Sequence, residues 1–579
     1  MDRTAWIAVT LCVLALVGWQ VYVTSHAPPP RPVIGKSSPA AASPSQSPDA
    51  TPNPVVAGSP VASATPSPAA AAEFAEKRET LRNTDFEVHL TNRGGAVSDV
   101  VLLNHAAEKD QRVVMNPAAR TPIAALVQDP AAIALDEFVP TAEPDGSVVY
   151  ERKAPEGVVT TKHFFIPPPA EKKDNFLLRL DVDIRNDGAQ QYNDPGYFVT
   201  LGSARPMHVN DWSAFTALAW SVNGTLKQVD VNWFSEQTVP IVGLKRRDAQ
   251  QFYRETPKGG ADWAAVTSQF FATIVTPLTV KGTEIEGSRF DSKQSSTAPI
   301  YAIEGALRMP PVQLQPGQNA TAKFQLYIGP KIYQRLAKLE HNEAEIMNFG
   351  MFKLICQALL NFLNFLHSVL GNYAAAILAL TTIIKLVLWP LQNKANRSMR
   401  QMQALNPKMQ ELREKYKDDP TRMNQELMKL YKQYGINPVG GCLPMVIQIP
   451  IFFGLFTMLR QAVELRNASF LWVKDLSQPD TVAHLPMLGW PVNVLPLLMG
   501  ATQLWLFQMT PKSGDPTQRR IAMFMPLIFL FFCYNFAAAL ALYYTIQNLF
   551  TILQLWLNQR QPVPALEKVQ PPGKQRRKR

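Results

Sequence analysis

The sequence predicts a polytopic α-helical membrane protein with six spans and a large exported all-β sandwich domain. Apolar segments long enough to cross a bilayer recur in the second half of the chain. Short runs of alternating polarity, separated by Gly, Pro, Asn and Asp, fill much of the first half. The net charge of +11 comes from basic residues that gather beside the apolar segments, as in the cytoplasmic loops of membrane proteins.

The N-terminal region, residues 1–26, is predicted to be an uncleaved signal anchor. Its apolar stretch from Ala5 to Val23 is closer in length to a span than to the short core of a cleaved signal peptide. Residues 27–72 are rich in Pro, Ala and Ser, which predicts a disordered linker. This linker would let the next domain lie away from the first span.

Residues 73–330 are predicted to form the exported β-sandwich. The four cysteines of the chain all lie outside this range, so disulfides are not expected to hold the domain together. Sandwiches of this size include sugar-binding and sugar-isomerising folds, so a membrane-anchored carbohydrate-binding or modifying protein is one alternative function. The histidines of this region are scattered, and the sequence pairs none of them with a carboxylate, which favours structural roles: His89, His105, His163 and His208.

Five further spans are predicted at about 372–391, 440–459, 489–508, 519–535 and 538–557. The loop 392–435 holds ten Lys or Arg residues, and the basic tail 559–579 ends in KQRRKR. Because basic loops stay in the cytoplasm, both termini are expected there and residues 24–370 are expected to be exported. An exported domain behind an uncleaved anchor indicates the inner membrane of a Gram-negative bacterium.

Residues 331–371 are predicted to be a connector that ends in an amphipathic helix. The helix carries a narrow polar stripe on an otherwise apolar surface: Lys353, Gln357, Asn361, Asn364 and Ser368. Such a helix fits the membrane interface better than the bilayer interior. The alternative is a seventh span, which would place the sandwich in the cytoplasm and reverse the N-terminus.

The cytoplasmic loop 392–435 is predicted to be a hairpin of two helices. Asp418-Asp419-Pro420 breaks the first helix, and Gly435 ends the second. One interpretation is a solvated pair of helices that stabilise each other. The functional interpretation is a platform that meets a partner or an emerging polypeptide.

Lys385 is a cation inside the apolar segment from Tyr373 to Leu391. A charge is costly in hydrocarbon, so an intramembrane Lys is a functional-site hypothesis. The competing interpretation is that its long side chain extends to the interface at Leu391, about 9 Å away along a helix.

The predicted spans contain polar residues but almost no acids. Each polar residue alone is more often a hydrogen-bonding contact between helices than a functional group: Thr381, Thr382, Gln448, Gln503, Gln508, Asn535, Gln547 and Asn548. A transporter is a second alternative function, and the lack of buried carboxylates counts against it. The sequence has no phosphate-cradling loop, HExxH, GxSxG or CxxC, so we expect no catalytic residues, cofactor, metal or small-molecule substrate.

The segment Asn437–Leu459, NPVGGCLPMVIQIPIFFGLFTML, resembles the third span of the YidC/Oxa/Alb family of membrane-protein insertases. The similarity extends to 463–477, 515–529 and 542–554, and includes WPL at 389–391. It covers about 340–560. The exported sandwich and the N-terminal anchor resemble the Gram-negative branch of the family.

The resemblance implies that residues 372–558 form a five-helix insertase core with a positively charged groove open to the cytoplasm and to lipid. Nascent membrane proteins and the lipid bilayer are the implied partners, together with the Sec translocon and, through the basic tail and the hairpin, the ribosome. The activity is that of an insertase and chaperone rather than an enzyme. The candidate substrate-binding residues are Lys385, Thr381, Gln448, Phe532, Tyr543 and Tyr544.

Two positions depart from the family pattern. Lys385 stands where many members have Arg, so the position offers a point charge without a bidentate fork. Ala537-Ala538-Ala539 replaces the Pro-Ser-Gly between the last two spans. Residues 519–557 as one helix would extend roughly 58 Å, so a turn near Asn535 is expected.

Overall fold

The computed structural model describes residues 74–560, except for 108–110, 118–119, 132–134, 169–174, 209, 239–244, 293–298, 418, 437, 486–488 and 511–515. The predicted N-terminal span, the linker and the basic tail beyond residue 560 lie outside the described residues. The described chain forms an antiparallel β-sandwich followed by a bundle of helices.

The strands are numbered in chain order: β1 Arg78–Arg82, β2 Phe86–Thr91, β3 Ala96–Ala106, β4 Arg112–Met115, β5 Leu126–Val127, β6 Val139–Ala142, β7 Val148–Lys153, β8 Val158–Phe165, β9 Leu177–Asn186, β10 Tyr192–Asp194, β11 Phe198–Ala204, β12 Ala217–Val222, β13 Thr225–Asp230, β14 Gln237–Thr238, β15 Lys245–Arg247, β16 Phe252–Glu255, β17 Trp263–Thr267, β18 Phe271–Pro277, β19 Glu284–Asp291, β20 Tyr301–Arg308, β21 Val312–Leu314, β22 Asn319–Pro330, β23 Thr481–His484 and β24 Pro491–Asn493.

Two large sheets form the sandwich. The nine-stranded sheet has the order β13-β12-β17-β18-β22-β9-β8-β7-β6, and the five-stranded sheet has the order β16-β19-β20-β11-β5. Strands β11 and β20 pack against β12, β17 and β18 of the other sheet. A four-stranded sheet, β1-β2-β3-β4, adds to the same core. The alternating sequence pattern therefore does form the predicted sandwich.

The two large sheets approach closely at a pair of glycines. A Cβ atom on Gly287 or Gly305 would lie 2.6 Å or 2.5 Å from a methyl carbon of Leu218. Larger residues would push the sheets apart, because a packed interior has no room for an extra carbon.

The helices are α1 Tyr333–Leu336, α2 Lys353–Leu370, α3 Tyr373–Lys415, α4 Pro420–Gln433, α5 Pro438–Gln461, α6 Val494–Met509, α7 Pro516–Cys533 and α8 Ala538–Gln559. Among the described residues, three segments are long and apolar enough to cross a membrane: Gly350–Leu370, Tyr373–Lys415 and Ala538–Gln559. Shorter apolar helical segments are Val446–Gln461, Val494–Met509 and Phe524–Cys533.

Helix α3 continues without a break from the predicted span into the predicted hairpin. It is 43 residues long and contains Pro390 and Pro407. Beside Pro390, the Gln554 side chain on α8 donates to the Trp389 carbonyl at 3.2 Å. A proline inside a helix frees the carbonyl four residues earlier, here that of Leu386, so this bond joins the two helices and does not replace the bond that Pro390 cannot make. The sequence motif WPL does not end the helix.

Helices α3 and α8 run parallel. Lys385 on α3 contacts Thr551 on α8, and Asn393 further along α3 contacts Asn558 further along α8. Helix α6 also runs parallel to α8. The end of the bundle that contacts the sandwich is called the proximal end below. The other end, where α6 and α8 terminate, is called the distal end.

The turn between α7 and α8 spans residues 534–537 at the proximal end. The side chain of Asn493 donates to the Tyr534 carbonyl at 2.8 Å, and the Ala538 amide donates to the Gln478 carbonyl at 2.8 Å. Bonds from the preceding loop thus stabilise a turn that lacks proline and glycine.

Three side chains of the polar stripe of α2 contact residues at the proximal end. Lys353 pairs with Glu345, and Asn361 accepts a hydrogen bond from Gln334 at 3.3 Å. Asn364 donates to Glu464 at 3.5 Å. These contacts join part of the polar stripe to the connector and to the loop after α5, while the segment Gly350–Leu370 is also long and apolar enough to cross a membrane.

The sandwich and the bundle meet through aromatic and cationic contacts. The guanidinium carbon of Arg460, at the end of α5, lies 3.1 Å from the ring centroid of Trp212 in the sandwich. Gln269 of the sandwich donates to the Arg460 carbonyl at 2.8 Å. Trp212 also packs against Phe536, with ring centroids 5.9 Å apart.

Candidate functional site

The Lys385 side chain crosses from α3 to α8 inside the bundle. Its Nζ donates to Thr551 Oγ1 at 2.9 Å, and the Thr551 hydroxyl in turn donates to the Gln547 carbonyl at 2.8 Å. Lys385 is half-buried. Thr551 lies about two turns, roughly 12 Å, before the distal end of α8 at Gln559. The ammonium group is therefore bonded to a neighbouring helix within the bundle.

Further amides line the contact between α3 and α8 on the distal side of Lys385. Gln554 Nε2 donates to Asn393 Oδ1 at 2.7 Å, and Asn558 Nδ2 donates to the same oxygen at 3.1 Å. We call this set, Lys385, Thr551, Asn393, Gln554 and Asn558, the polar seam. Its hydrogen bonds satisfy buried polar groups between the helices.

Of the polar seam, only Lys385 is among the site residues predicted from the sequence. Asn393 lies beyond the predicted end of the span, so its position beside α8 depends on the continuation of α3. A polar face on residues 547–558 is visible in the sequence, because Gln547, Thr551, Gln554 and Asn558 recur at helical spacing.

Thr381 lies one turn before Lys385 on α3, on the same side of the helix. Its side chain is 1% exposed, and its hydroxyl donates to the Ile377 carbonyl of its own helix at 2.7 Å. The structure thus brings Thr381 near Lys385, but its hydroxyl is already bonded and faces the interior.

Three aromatic side chains from α5, α7 and α8 form a compact group. The ring centroid of Tyr544 lies 5.2 Å from that of Phe452 and 5.2 Å from that of Phe529. Phe452 and Phe529 are 6.3 Å apart. We call these three residues the aromatic cluster. Of the three, only Tyr544 was a predicted site residue, although the runs IFFGLF and LIFLFF signal aromatic helix faces.

The remaining predicted residues lie around this cluster. Tyr543 is 1% exposed and packs edge-on against Tyr544, with centroids 5.5 Å apart. Phe532 is half-buried beside the exposed Phe531. Gln448 on α5 is half-buried between the exposed residues Val446 and Ile449.

The apolar segments around Lys385 have no acidic residues in their sequences. No Asp or Glu occurs in residues 373–391, 440–459, 494–509 or 538–559. In the part of the chain that the structure describes, no group of three His, Cys, Asp or Glu side chains could hold a metal. The arrangement can attract an anionic group, and it offers no pair of groups for acid–base chemistry.

The sandwich contains features relevant to the alternative carbohydrate function. One histidine that the sequence could not pair meets two carboxylates: His89 Nδ1 lies 2.7 Å from Asp99 and Nε2 lies 3.0 Å from Glu87. The register of β2 and β3 explains this, because it places His89 opposite Asp99. A cavity of about 540 Å³ contains Glu286 and Glu304, but it is not lined by His89.

Comparisons with known proteins cover nearly the whole described chain. The family model for the YidC periplasmic domain matches residues 78–362, and the model for the 60Kd inner membrane protein matches residues 365–564. The membrane protein insertase YidC of Syntrophus aciditrophicus (strain SB) is 32% identical over 575 residues, which cover 97% of this chain and 100% of that protein.

A second relative matches more closely over a shorter range. The membrane protein insertase YidC of Nitratidesulfovibrio vulgaris (strain DSM 19637 / Miyazaki F) is 37% identical over 350 residues, which cover 59% of this chain and 58% of that protein. Among solved structures, an active YidC insertase crystal structure with the first transmembrane domain resolved covers 85% of this chain and 94% of its own, at 18% identity and a TM-score of 0.33.

Proposed function

The chain belongs to the YidC family of membrane protein insertases, and we propose that it inserts nascent proteins into the inner membrane through the surface beside Lys385. The family comprises insertases rather than enzymes. The nascent membrane proteins and the lipid bilayer are its partners.

The observation that carries this proposal is the position of the Lys385 ammonium, bonded to Thr551 within an apolar bundle. A positive charge in a partly hydrated, low-dielectric groove attracts the acidic, hydrophilic segment of an incoming client. Water next to the polar side chains of the seam shortens the hydrophobic path that this segment must cross. The apolar client helix then moves sideways into lipid, driven by burial of its side chains. The step needs neither a covalent bond nor a nucleotide.

The topology proposed for this reaction places the distal end of the bundle in the cytoplasm. The ten basic residues of 392–435 then lie inside, as the positive-inside rule requires. The sandwich and the proximal end lie in the periplasm, and both termini lie in the cytoplasm. The parallel directions of α3, α6 and α8 support this arrangement, because alternate spans must cross in the same direction.

We further propose that the client helix passes the aromatic cluster and the half-buried residues near it, Phe532 and Gln448. The rings offer large apolar contacts of adjustable geometry, which suits clients of varied sequence. Tyr543 and Thr381 are buried, so their proposed role is to support Tyr544 and Lys385 from behind.

The helical hairpin and the basic tail are proposed to meet the ribosome, and the bundle is proposed to cooperate with the Sec translocon. The amphipathic helix α4 packs on the extension of α3 through Leu405, Met409 and Leu427. Its other face carries exposed Met428, Lys429 and Lys432. An exposed basic face suits ribosomal RNA, which is anionic.

Insertion into reconstituted vesicles tests the proposal. Proteoliposomes with wild-type protein, Lys385→Ala or Lys385→Arg receive a single-span client with an acidic exported tail. We expect Lys385→Ala to reduce insertion by roughly tenfold and Lys385→Arg to restore it, because the charge rather than the ammonium geometry acts on the client.

Lys394→Ala is the matched control. Lys394 lies on the same helix but is exposed, so its removal is expected to leave insertion unchanged. Normal insertion by Lys385→Ala would contradict the proposed role of Lys385. Equal insertion into vesicles without protein would contradict the insertase function itself.

A further inference from the structure

A polar cavity lies at the distal end of the bundle, among α3, α6 and α8. Its volume is about 280 Å³, and its polar lining includes Asn396, Arg400, Gln508, Asn558 and Gln559. It shares Asn558 with the polar seam, but it lies about three turns past Lys385 on α3. Asn396 and Arg400 are not members of the seam.

Asn396 is a buried amide without a hydrogen-bond partner among the described residues. Its side chain is 2% exposed, and neither Nδ2 nor Oδ1 is bonded to the described protein. Buried amides are almost always satisfied, because an unpaired donor or acceptor loses its bonds to water without replacement. The Asn396 amide can therefore hold a molecule that both accepts a hydrogen bond from Nδ2 and donates one to Oδ1.

The charge of the cavity comes from Arg400, which is the charged residue among its described lining residues. Arg400 is oriented by a hydrogen bond from its guanidinium to the Asn558 carbonyl at 2.7 Å. Guanidinium groups favour phosphate and carboxylate oxygens. The ligand should thus carry an anionic oxygen next to a hydrogen-bond donor.

The position of the cavity along the bundle, at the ends of two helices, indicates which kind of molecule supplies that ligand. Helices α6 and α8 end beside it at Met509 and Gln559. Trp505 and Trp556 nearby are 53% and 43% exposed, and Arg560 lies 3.5 Å from the Trp556 ring centroid. Exposed tryptophans and arginines at span ends mark the headgroup region of a bilayer.

We propose that this cavity binds the headgroup of a phospholipid of the cytoplasmic leaflet. The phosphate contacts Arg400 and the Nδ2 group of Asn396, and a headgroup hydroxyl or ammonium donates to Asn396 Oδ1. The bound lipid fixes the extension of α3 against the ends of α6 and α8. This inference depends on the proposed topology, which puts the distal helix ends in the cytoplasmic headgroup region, and it does not require insertase activity.

The test uses the full chain, delipidated in a mild detergent, and dioctanoyl phosphatidylglycerol as the probe. Native mass spectrometry counts bound lipid, and thermal unfolding measures stabilisation by the same lipid. Asn396→Leu and Arg400→Gln are each expected to weaken binding at least tenfold. Arg397→Gln is the matched control, because Arg397 has the same charge on the same helix but is exposed.

A further readout separates loss of the site from loss of the fold. Lipid-free Asn396→Leu should unfold at or above the wild-type temperature, because the variant removes an unpaired buried amide. Added phosphatidylglycerol should then raise its unfolding temperature less than that of wild type. Equal binding by wild type, Asn396→Leu and Arg400→Gln would overturn the proposal.

Two competitors distinguish the chemical sources. Dioctanoylglycerol, which lacks phosphate, should bind at least tenfold more weakly than phosphatidylglycerol. If it binds equally well, the cavity takes acyl chains and the headgroup assignment is wrong. Inorganic phosphate at millimolar concentration should not displace the lipid. If it does, the cavity is a site for free phosphate rather than for a lipid.

Discussion

Lys385 differs from the other polar residues of the bundle because it carries a charge that its hydrogen bond does not neutralise. Thr551 accepts one bond from the ammonium group. An ammonium group has three donors, so it can contact a client anion while this bond persists. The amides of the polar seam, by contrast, bond mainly to one another.

Thr381 is expected to tolerate loss of its hydroxyl. The hydroxyl bonds within its own helix, and the side chain is buried. Thr381→Val should therefore keep vesicle insertion within about twofold of wild type, because an intrahelical threonine bond contributes little. A loss as large as that of Lys385→Ala would show that the hydroxyl contacts the client directly.

His89 should make the stability of the sandwich depend on pH. Burial alone would lower its pKa, but hydrogen bonds to Asp99 and Glu87 outweigh burial and raise the pKa above its ordinary value of 6.5. The protonated ring is favoured in the folded state. Its contribution is thus fully present below the unfolded pKa and is lost as pH rises through the folded pKa.

Thermal unfolding of wild type and His89→Gln at pH 5.5 and pH 8.5 checks this dependence. We expect His89→Gln to unfold about 1–3 °C lower than wild type at pH 5.5, with a smaller difference at pH 8.5. Histidine pairs at partly exposed sites stabilise only modestly. A difference that grows with pH would have the wrong sign for this explanation.

At the level of elements, α2 packs directly on α5 at a glycine. A Cβ atom on Gly454 would lie 2.8 Å from Ile355 Cγ2, and Cys356 Sγ lies 3.4 Å from the Gly454 carbonyl. Gly454→Ala should therefore destabilise the protein by about 1–3 kcal/mol, because the two helices must separate. Chemical or thermal unfolding in detergent measures the change.

A double-mutant cycle gives the control for that prediction. Ile355→Ala removes the atom nearest to the new Cβ, so Gly454→Ala in that background should cost much less. An unchanged cost would mean that the glycine is required for another reason, such as the backbone of α5.

Sequence periodicity was sufficient to predict whether each large element is a strand or a helix. Contacts between elements distant in the sequence could not be predicted in this way. Alternation in β2 and β9 identified the sandwich, because mainly one face of each strand is buried, whereas residues 324–330 of β22 are buried on both faces. The continuation of α3 past Pro390 was not predicted, because a proline inside a helical pattern usually marks the end of the helix or a kink. The contact of Arg460 with Trp212 and the unpaired amide of Asn396 likewise depend on tertiary packing.

On the scale of the whole molecule, the sandwich is fixed to the end of the bundle opposite the proposed lipid cavity. Gln478 and Arg466, which follow α5, bond to Asp211 and to the Ala106 carbonyl of the sandwich at 3.2 Å and 3.4 Å. These bonds fix the proximal end to the sandwich, whereas the distal end is next to the helical hairpin. This asymmetry suits entry of clients from the distal end, the end that we propose to be cytoplasmic.

We propose that the positive charge of Lys385 attracts the negative charge of the client. The most direct measurement is the insertion rate of two clients, identical except for an acidic or a neutral exported tail, by wild type and Lys385→Gln in the same vesicles. We expect wild type to insert the acidic client roughly five- to tenfold faster, equivalent to about 1–1.4 kcal/mol, and Lys385→Gln to lose this preference. An acidic preference of the same size in Lys385→Gln would refute the role of the Lys385 charge, because the attraction would then arise elsewhere.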